Sequence, residues 1–173
     1  RHLEGGGIYD HLHRLTAAGN AWLHVHPGAA RAALIASSLG VDAVSLFVLG
    51  YAVVGPSFSP FWGLLCLFGL RQASQAVVAL PAPSGIIWRD PGFPSLFVTY
   101  AVGNDFFFSG HTALAVYGAI QIATLGIPVL TVVATLLAVL QMLVVIVLRA
   151  HWTLDVLTGL FAALLVGFAF WPG

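Results

Sequence analysis

The chain has 173 residues, of which 60% are hydrophobic and 7% charged, six acidic and six basic, and its mean hydropathy is +0.98. A soluble domain carries about 25% charged residues, and so few charges cannot cover the surface of a soluble fold of this size. An ordinary soluble enzyme and a disordered tail are excluded, as is a nucleic-acid binder, because the charge balance is zero. An all-α, polytopic membrane protein of one domain, residues 1–173, remains.

In chain order, residues 8–26 mix polar groups with Ile8, Leu12, Leu15 and Trp22 at helical spacing, which predicts an amphipathic helix lying at the membrane interface. A spanning helix needs roughly 20 apolar residues. Five stretches fit: 32–55, 61–80, 110–125, 128–148 and 152–171, and a sixth span is open at the N-terminal end. Asp42 interrupts the first and Arg71 the second, and Pro128 suits a first helical position. Residues 81–108 are rich in Pro and Gly and carry Trp88, Phe93, Phe97 and Tyr100, which predicts an irregular cap. Such backbone is tolerated at membrane depth only where protein buries it or where it lines a cavity.

These spans place ten charges on one side, at Arg1, Glu4, Asp10, Arg14, Arg31, Arg89, Asp90, Asp105, Arg149 and Asp155. Asp42 and Arg71 fall within spans, and the opposite side carries only tight hairpins and the C-terminus. The arginine count points the charged side to the cytoplasm; an endomembrane and a bacterial inner membrane are not distinguished.

Ionisable groups within a membrane are expensive and usually functional. Asp42 and Arg71 are expected level with each other, as an ion pair with Arg71 shaping a polar cavity or as a structural pair. In Ser109-Gly110-His111-Thr112, Ser109 is a good N-cap, and free N–H groups behind it favour an anion. His111 in that first turn suits proton transfer to an ester oxygen; the alternative is a plain helix cap. His151 and Asp155, four apart, share a helix face, where a carboxylate sets the imidazole tautomer and frees the other nitrogen as base or nucleophile. Arg149 is either a phosphate clamp or a snorkelling side chain. Asp105 is a candidate for a cationic head group or for support of a histidine, and Arg89 is a candidate phosphate contact. His11, His13, His24 and His26 pair at a spacing of two, which does not share a helix face, so no metal or other cofactor is expected. Cys66 stands alone.

Together these motifs resemble the PAP2 superfamily of membrane lipid phosphatases and phosphotransferases, with His151-x-Thr153-x-Asp155-Val156 following the Ser-Gly-His-Thr run. Arg71 followed by Leu80-Pro81-Ala82-Pro83, and Asp105 before Ser109, are similar to the sphingomyelin synthases and the plant phosphatidylcholine:diacylglycerol cholinephosphotransferase. The resemblance covers Arg71 to Gly159. It implies a six-helix bundle in which His151 takes the phosphoryl head group as phosphohistidine, Asp155 orients it, and His111 exchanges the proton with the lipid oxygen. Arg71, Asp105, Ser109, Gly110, Thr112, Arg149 and Arg89 would contact substrate. The phosphatases' Arg six residues before the second His is here Val145, which favours transfer over hydrolysis. The expected partners are a phospholipid donor and a lipid alcohol, diacylglycerol or ceramide, and a homo-oligomer is compatible with this. A lipid phosphate phosphatase is the runner-up, and a non-enzymatic lipid-binding scaffold is the third reading.

Overall fold

The computed structural model describes residues 7–100 and 107–171. Among these it is all-helical: α1 (His11–Leu15), α2 (Ala17–Val25), α3 (Pro27–Val54), α4 (Ser59–Val77), α5 (Gly110–Ala123), α6 (Pro128–Val147) and α7 (Thr153–Ala169).

Helix ends follow local chemistry. α3 begins at Pro27, earlier than expected, because proline fits a first helical turn whose N–H groups are free in any case. α4 stops at Val77, and Val78 is extended; the chain then runs into Pro81, which disfavours helical geometry just before it. The single amphipathic helix expected over 8–26 is instead two. The break falls at Thr16, whose hydroxyl donates to the Leu12 carbonyl at 2.8 Å. α1 is not merely interfacial either: His13 is fully buried and Asp10 nearly so.

Two helices, α3 and α6, are long and apolar enough to cross a membrane by length and composition alone. Three of the five expected spans fall short of that measure. α4 carries Arg71, Gln72, Ser74 and Gln75, α5 has 14 residues, and α7 has 17. The outward faces are nonetheless apolar, with Leu136, Leu140 and Leu143 on α6 and Phe161, Leu165 and Phe168 on α7 all exposed.

α5 is the central helix and packs against α3, α4, α6 and α7. Small residues let its neighbours close in. A Cβ on Gly118 would overlap Val44 of α3, and one on Gly159 of α7 would lie 2.5 Å from the Ser109 carbonyl oxygen. The core around α5 includes Val48, Leu64, Leu67, Phe108, Val116, Tyr117 and Ala163. A second cluster joins α2 and α3 to the end of α6 through Leu23, Leu34, Ile87, Ile146 and Leu148.

The irregular segment after α4 is tied down over the described residues. The Ile87 N–H donates to the Leu148 carbonyl at 2.8 Å. The Asn20 amide nitrogen bridges the carbonyls of Gly85 (3.1 Å) and Val147 (2.9 Å). The Trp152 indole N–H donates to Pro81 at 2.9 Å, and Arg31 donates to Pro91 at 2.7 Å. Asp42 does not pair with Arg71. Its carboxylate accepts from the Ser95 hydroxyl and from the N–H groups of Leu96 (2.9 Å) and Phe97 (3.0 Å). A turn with free N–H groups is a better partner at that depth than a guanidinium one helix away, since unpaired buried donors are costly.

Candidate active site

Ser109 is extended and caps α5, its Oγ accepting from the Thr112 N–H at 3.3 Å and from the Thr112 hydroxyl at 3.1 Å. Both side chains are fully buried, so they build the helix end rather than face the cavity. The cap leaves Gly110 and His111 in the first turn, where backbone N–H groups are free.

α7 starts opposite. The Ser109 N–H donates to the Asp155 carbonyl at 3.0 Å, joining the two motifs directly through the backbone. The fully buried Asp155 carboxylate accepts the Trp152 N–H at 2.9 Å and lies 3.8 Å from His151 Nδ1. The rings of His111 and His151 are 6.1 Å apart, centre to centre. His111 Nε2 is buried and has no hydrogen-bond partner among the described residues. Trp88 meets the His111 ring edge-on at 5.1 Å.

Both histidines line one cavity of about 120 Å³, with Arg71, Gly110, Leu67, Phe68, Trp88, Thr99 and Phe108 among its other walls. Arg71 Nη1 donates to Gln75 at 3.1 Å. Its Nε lies 3.1 Å from where a Cβ on Gly110 would be, so the glycine admits the guanidinium beside the α5 N-terminus. A cation and a helix N-terminus side by side both favour an anion.

The remaining candidate residues lie elsewhere. Arg149 is buried, and its Nη2 donates to the His13 carbonyl at 2.8 Å. Arg89 is exposed and lines a separate pocket with Arg31 and Asp90. Asp105 lies outside the described residues. Of the N-terminal histidines, His24 meets the Gly85 carbonyl at 3.1 Å and His26 stacks on Trp22 at 4.3 Å. Among the described residues no group of three His, Cys, Asp or Glu side chains is arranged to hold a metal.

Trp88, expected in the aromatic cap, is a wall of the cavity; Phe68 and Phe108 of the wall, and two neighbours of the His151 turn, Asp10 and His13, were not singled out by the sequence. Asp10 accepts from the Thr153 N–H (2.7 Å) and hydroxyl (2.6 Å), 143 residues away. Burial alone would raise its carboxyl, but the hydrogen bonds from Thr153 and the His13 N–H outweigh this and hold it below the ordinary 3.8. Burial raises the Tyr100 hydroxyl against the pull of its Ser38 hydrogen bond, and the charges of Asp90 and Asp42 add to the rise, so it stays a neutral phenol. The density of aromatics in 81–108 was the available signal for the walls; no local pattern announces the supports.

No curated protein and no solved structure matches the chain. The sequence profile of the AtPDCT1/2 family matches residues 9–169, which take in all seven helices and both histidine motifs. The chain belongs to this phosphatidylcholine:diacylglycerol cholinephosphotransferase family.

Proposed function

We propose that this protein is a multi-pass membrane cholinephosphotransferase that works by double displacement on His151. The observation that carries the reading is the pair of histidines facing one cavity, His111 at a helix N-terminus beside Arg71 and His151 backed by Asp155. Family membership supports phosphatidylcholine as donor and diacylglycerol as acceptor, and the motifs support the wider kinship with sphingomyelin synthases and PAP2 enzymes.

Asp155 turns the Nδ1 edge of His151 toward itself and leaves Nε2 as the nucleophile. Nε2 attacks the phosphorus, the P–O bond to the glyceride breaks, and His111 gives its proton to the departing oxygen. The phosphocholine is then bonded to His151. The hydroxyl of a second diacylglycerol loses its proton to His111 and attacks the same phosphorus, and the P–N bond breaks. Arg71 and the free N–H groups of α5 stabilise the negative oxygens as charge develops.

The cavity is smaller than the roughly 300–1,000 Å³ of typical small-molecule sites. It suits a head group, with the acyl chains left outside among the apolar helix faces. The aromatic cap favours exclusion of water, which keeps the covalent intermediate for a lipid alcohol.

Protein in phosphatidylcholine vesicles labelled in the choline is the test. His151→Ala is expected to abolish transfer to diacylglycerol, a loss of at least about 10⁴-fold as for other nucleophile deletions. Transfer persisting in that variant overturns the phosphohistidine route. Equal release of free phosphocholine with and without acceptor makes the protein a hydrolase, and transfer to ceramide in preference changes the acceptor.

A further inference from the structure

The turn that carries His151 is held locally by the Trp152 N–H on Asp155 and the Trp152 indole on Pro81, but the helix that follows has no side-chain cap of its own. Arg149 has φ of +56° there, a left-handed conformation that side chains rarely adopt. Trp152 occupies the N-cap position of α7, but an indole N–H donates and cannot accept. It therefore offers nothing to the free N–H groups that begin α7.

The cap comes instead from the other end of the chain. One oxygen of Asp10 accepts the Thr153 N–H at 2.7 Å and the other accepts the Thr153 hydroxyl at 2.6 Å, so the N-cap of α1 also caps α7. His13 Nε2 lies 3.0 Å from the His151 carbonyl oxygen. A carbonyl only accepts, so the imidazole donates. The His13 ring stacks on Trp152 at 5.2 Å, and the His13 carbonyl receives Arg149 at 2.8 Å. Between Arg149 and Thr153, only Ala150 lacks one of these contacts to Asp10 or His13.

From this we infer that Asp10 and His13 are positioning residues for His151. They hold the backbone of residues 149–153 so that the imidazole stays between Asp155 and the cavity. The inference rests on the reading of His151 as nucleophile. An in-line attack tolerates little displacement, and an error of about 1 Å costs on the order of 100-fold in rate.

The test uses the full chain in lipid nanodiscs with His13→Leu, which fills the space without a donor, Asp10→Ala, and His13→Gln, whose amide nitrogen reaches toward the position of Nε2. Two quantities are read: kcat and KM of head-group transfer, and the rate at which diethyl pyrocarbonate modifies each histidine, followed by mass spectrometry. His24 and His26, exposed on and just after α2, are internal references. His13→Leu and Asp10→Ala are expected to lower kcat roughly 10- to 100-fold with KM little changed. His151 should react several-fold faster while His24 and His26 keep their rates, and His13→Gln should recover most of both effects. An unchanged His151 rate, a loss in KM alone, or acceleration of all three histidines together overturns the inference, the last by reducing both residues to a structural role. If the wild-type chain transfers no head group, the proposed reaction fails, and the modification rates still decide whether the segment holds the turn.

Discussion

Asp10 joins two helix starts through one carboxylate, and its charge has a consequence for stability. Its carboxyl is held below its ordinary value by hydrogen bonds from Thr153 and His13 that overcome the opposing effect of burial. A carboxyl lowered on folding contributes stability that is fully present above its unfolded value and is lost as pH falls through the lower folded value. Asp10→Asn removes that share. The gap in melting temperature between wild type and Asp10→Asn should therefore be constant near neutrality and shrink below about pH 4. A gap that does not change with pH would show that the charge contributes nothing. At this scale the two histidines that line the cavity were legible in the sequence as candidates, because His111 follows a helix N-cap and His151 lies one helical turn from Asp155. Their supports were not. Asp10 meets Thr153 across 143 residues, and no local period encodes such a meeting. Arg149 donates to the His13 carbonyl and Thr112 to Ser109, partners that neither residue's sequence neighbourhood announces.

Among the elements, the turn at residues 95–97, in the segment between α4 and α5, is held by a single side chain. Asp42 takes the Ser95 hydroxyl and two backbone N–H groups of the same turn. It lies twelve residues before the end of α3 at Val54, about 18 Å along the helix axis, so the turn it holds reaches well into the bundle. Trp88 and Thr99 of the same segment are walls of the histidine cavity. Asp42→Ala leaves the N–H groups of Leu96 and Phe97 unpaired, at about 1–3 kcal/mol each, and the turn should lift. Water would then reach the cavity. The expected outcome is faster release of free phosphocholine in the absence of acceptor, with transfer reduced in proportion; release at the wild-type rate would sink the idea that this turn keeps the cavity dry. Length and apolarity located four of the five long helices to within three residues at each end, and α3 to its end but not to its start at Pro27. The same reading assigned Asp42 to Arg71 because it weighed only depth along two neighbouring helices, whereas a turn 53 residues away offered better donors.

For the whole molecule, the proposed multi-pass bundle would have to fit helices of unequal length into one membrane. At 1.5 Å per residue, α3 is about 42 Å long, α6 about 30 Å, and α5 only about 21 Å, against a hydrocarbon core of about 30 Å. Length and hydropathy judge each helix alone, and among the described residues α3 and α6 qualify. A helix enclosed by others is under no such demand. α5 is surrounded by α3, α4, α6 and α7, so on the bundle reading its shortness would recess His111, with protein rather than lipid satisfying the backbone there. The bundle reading and a two-span alternative differ at one loop. If only α3 and α6 cross, Ser57, Ser84 and Ile127 all lie on the same side of the membrane. If α4 and α5 cross as well, Ser84 lies opposite the other two, together with Ala18. Single cysteines at these four positions in a Cys66→Ser background, labelled in sealed vesicles with an impermeant maleimide, separate the cases. The expected pattern pairs Ala18→Cys with Ser84→Cys and Ser57→Cys with Ile127→Cys. Ser84→Cys labelling together with Ser57→Cys would show that α4 and α5 do not cross, leave them on one surface, and remove the physical basis for a histidine site recessed within the bilayer.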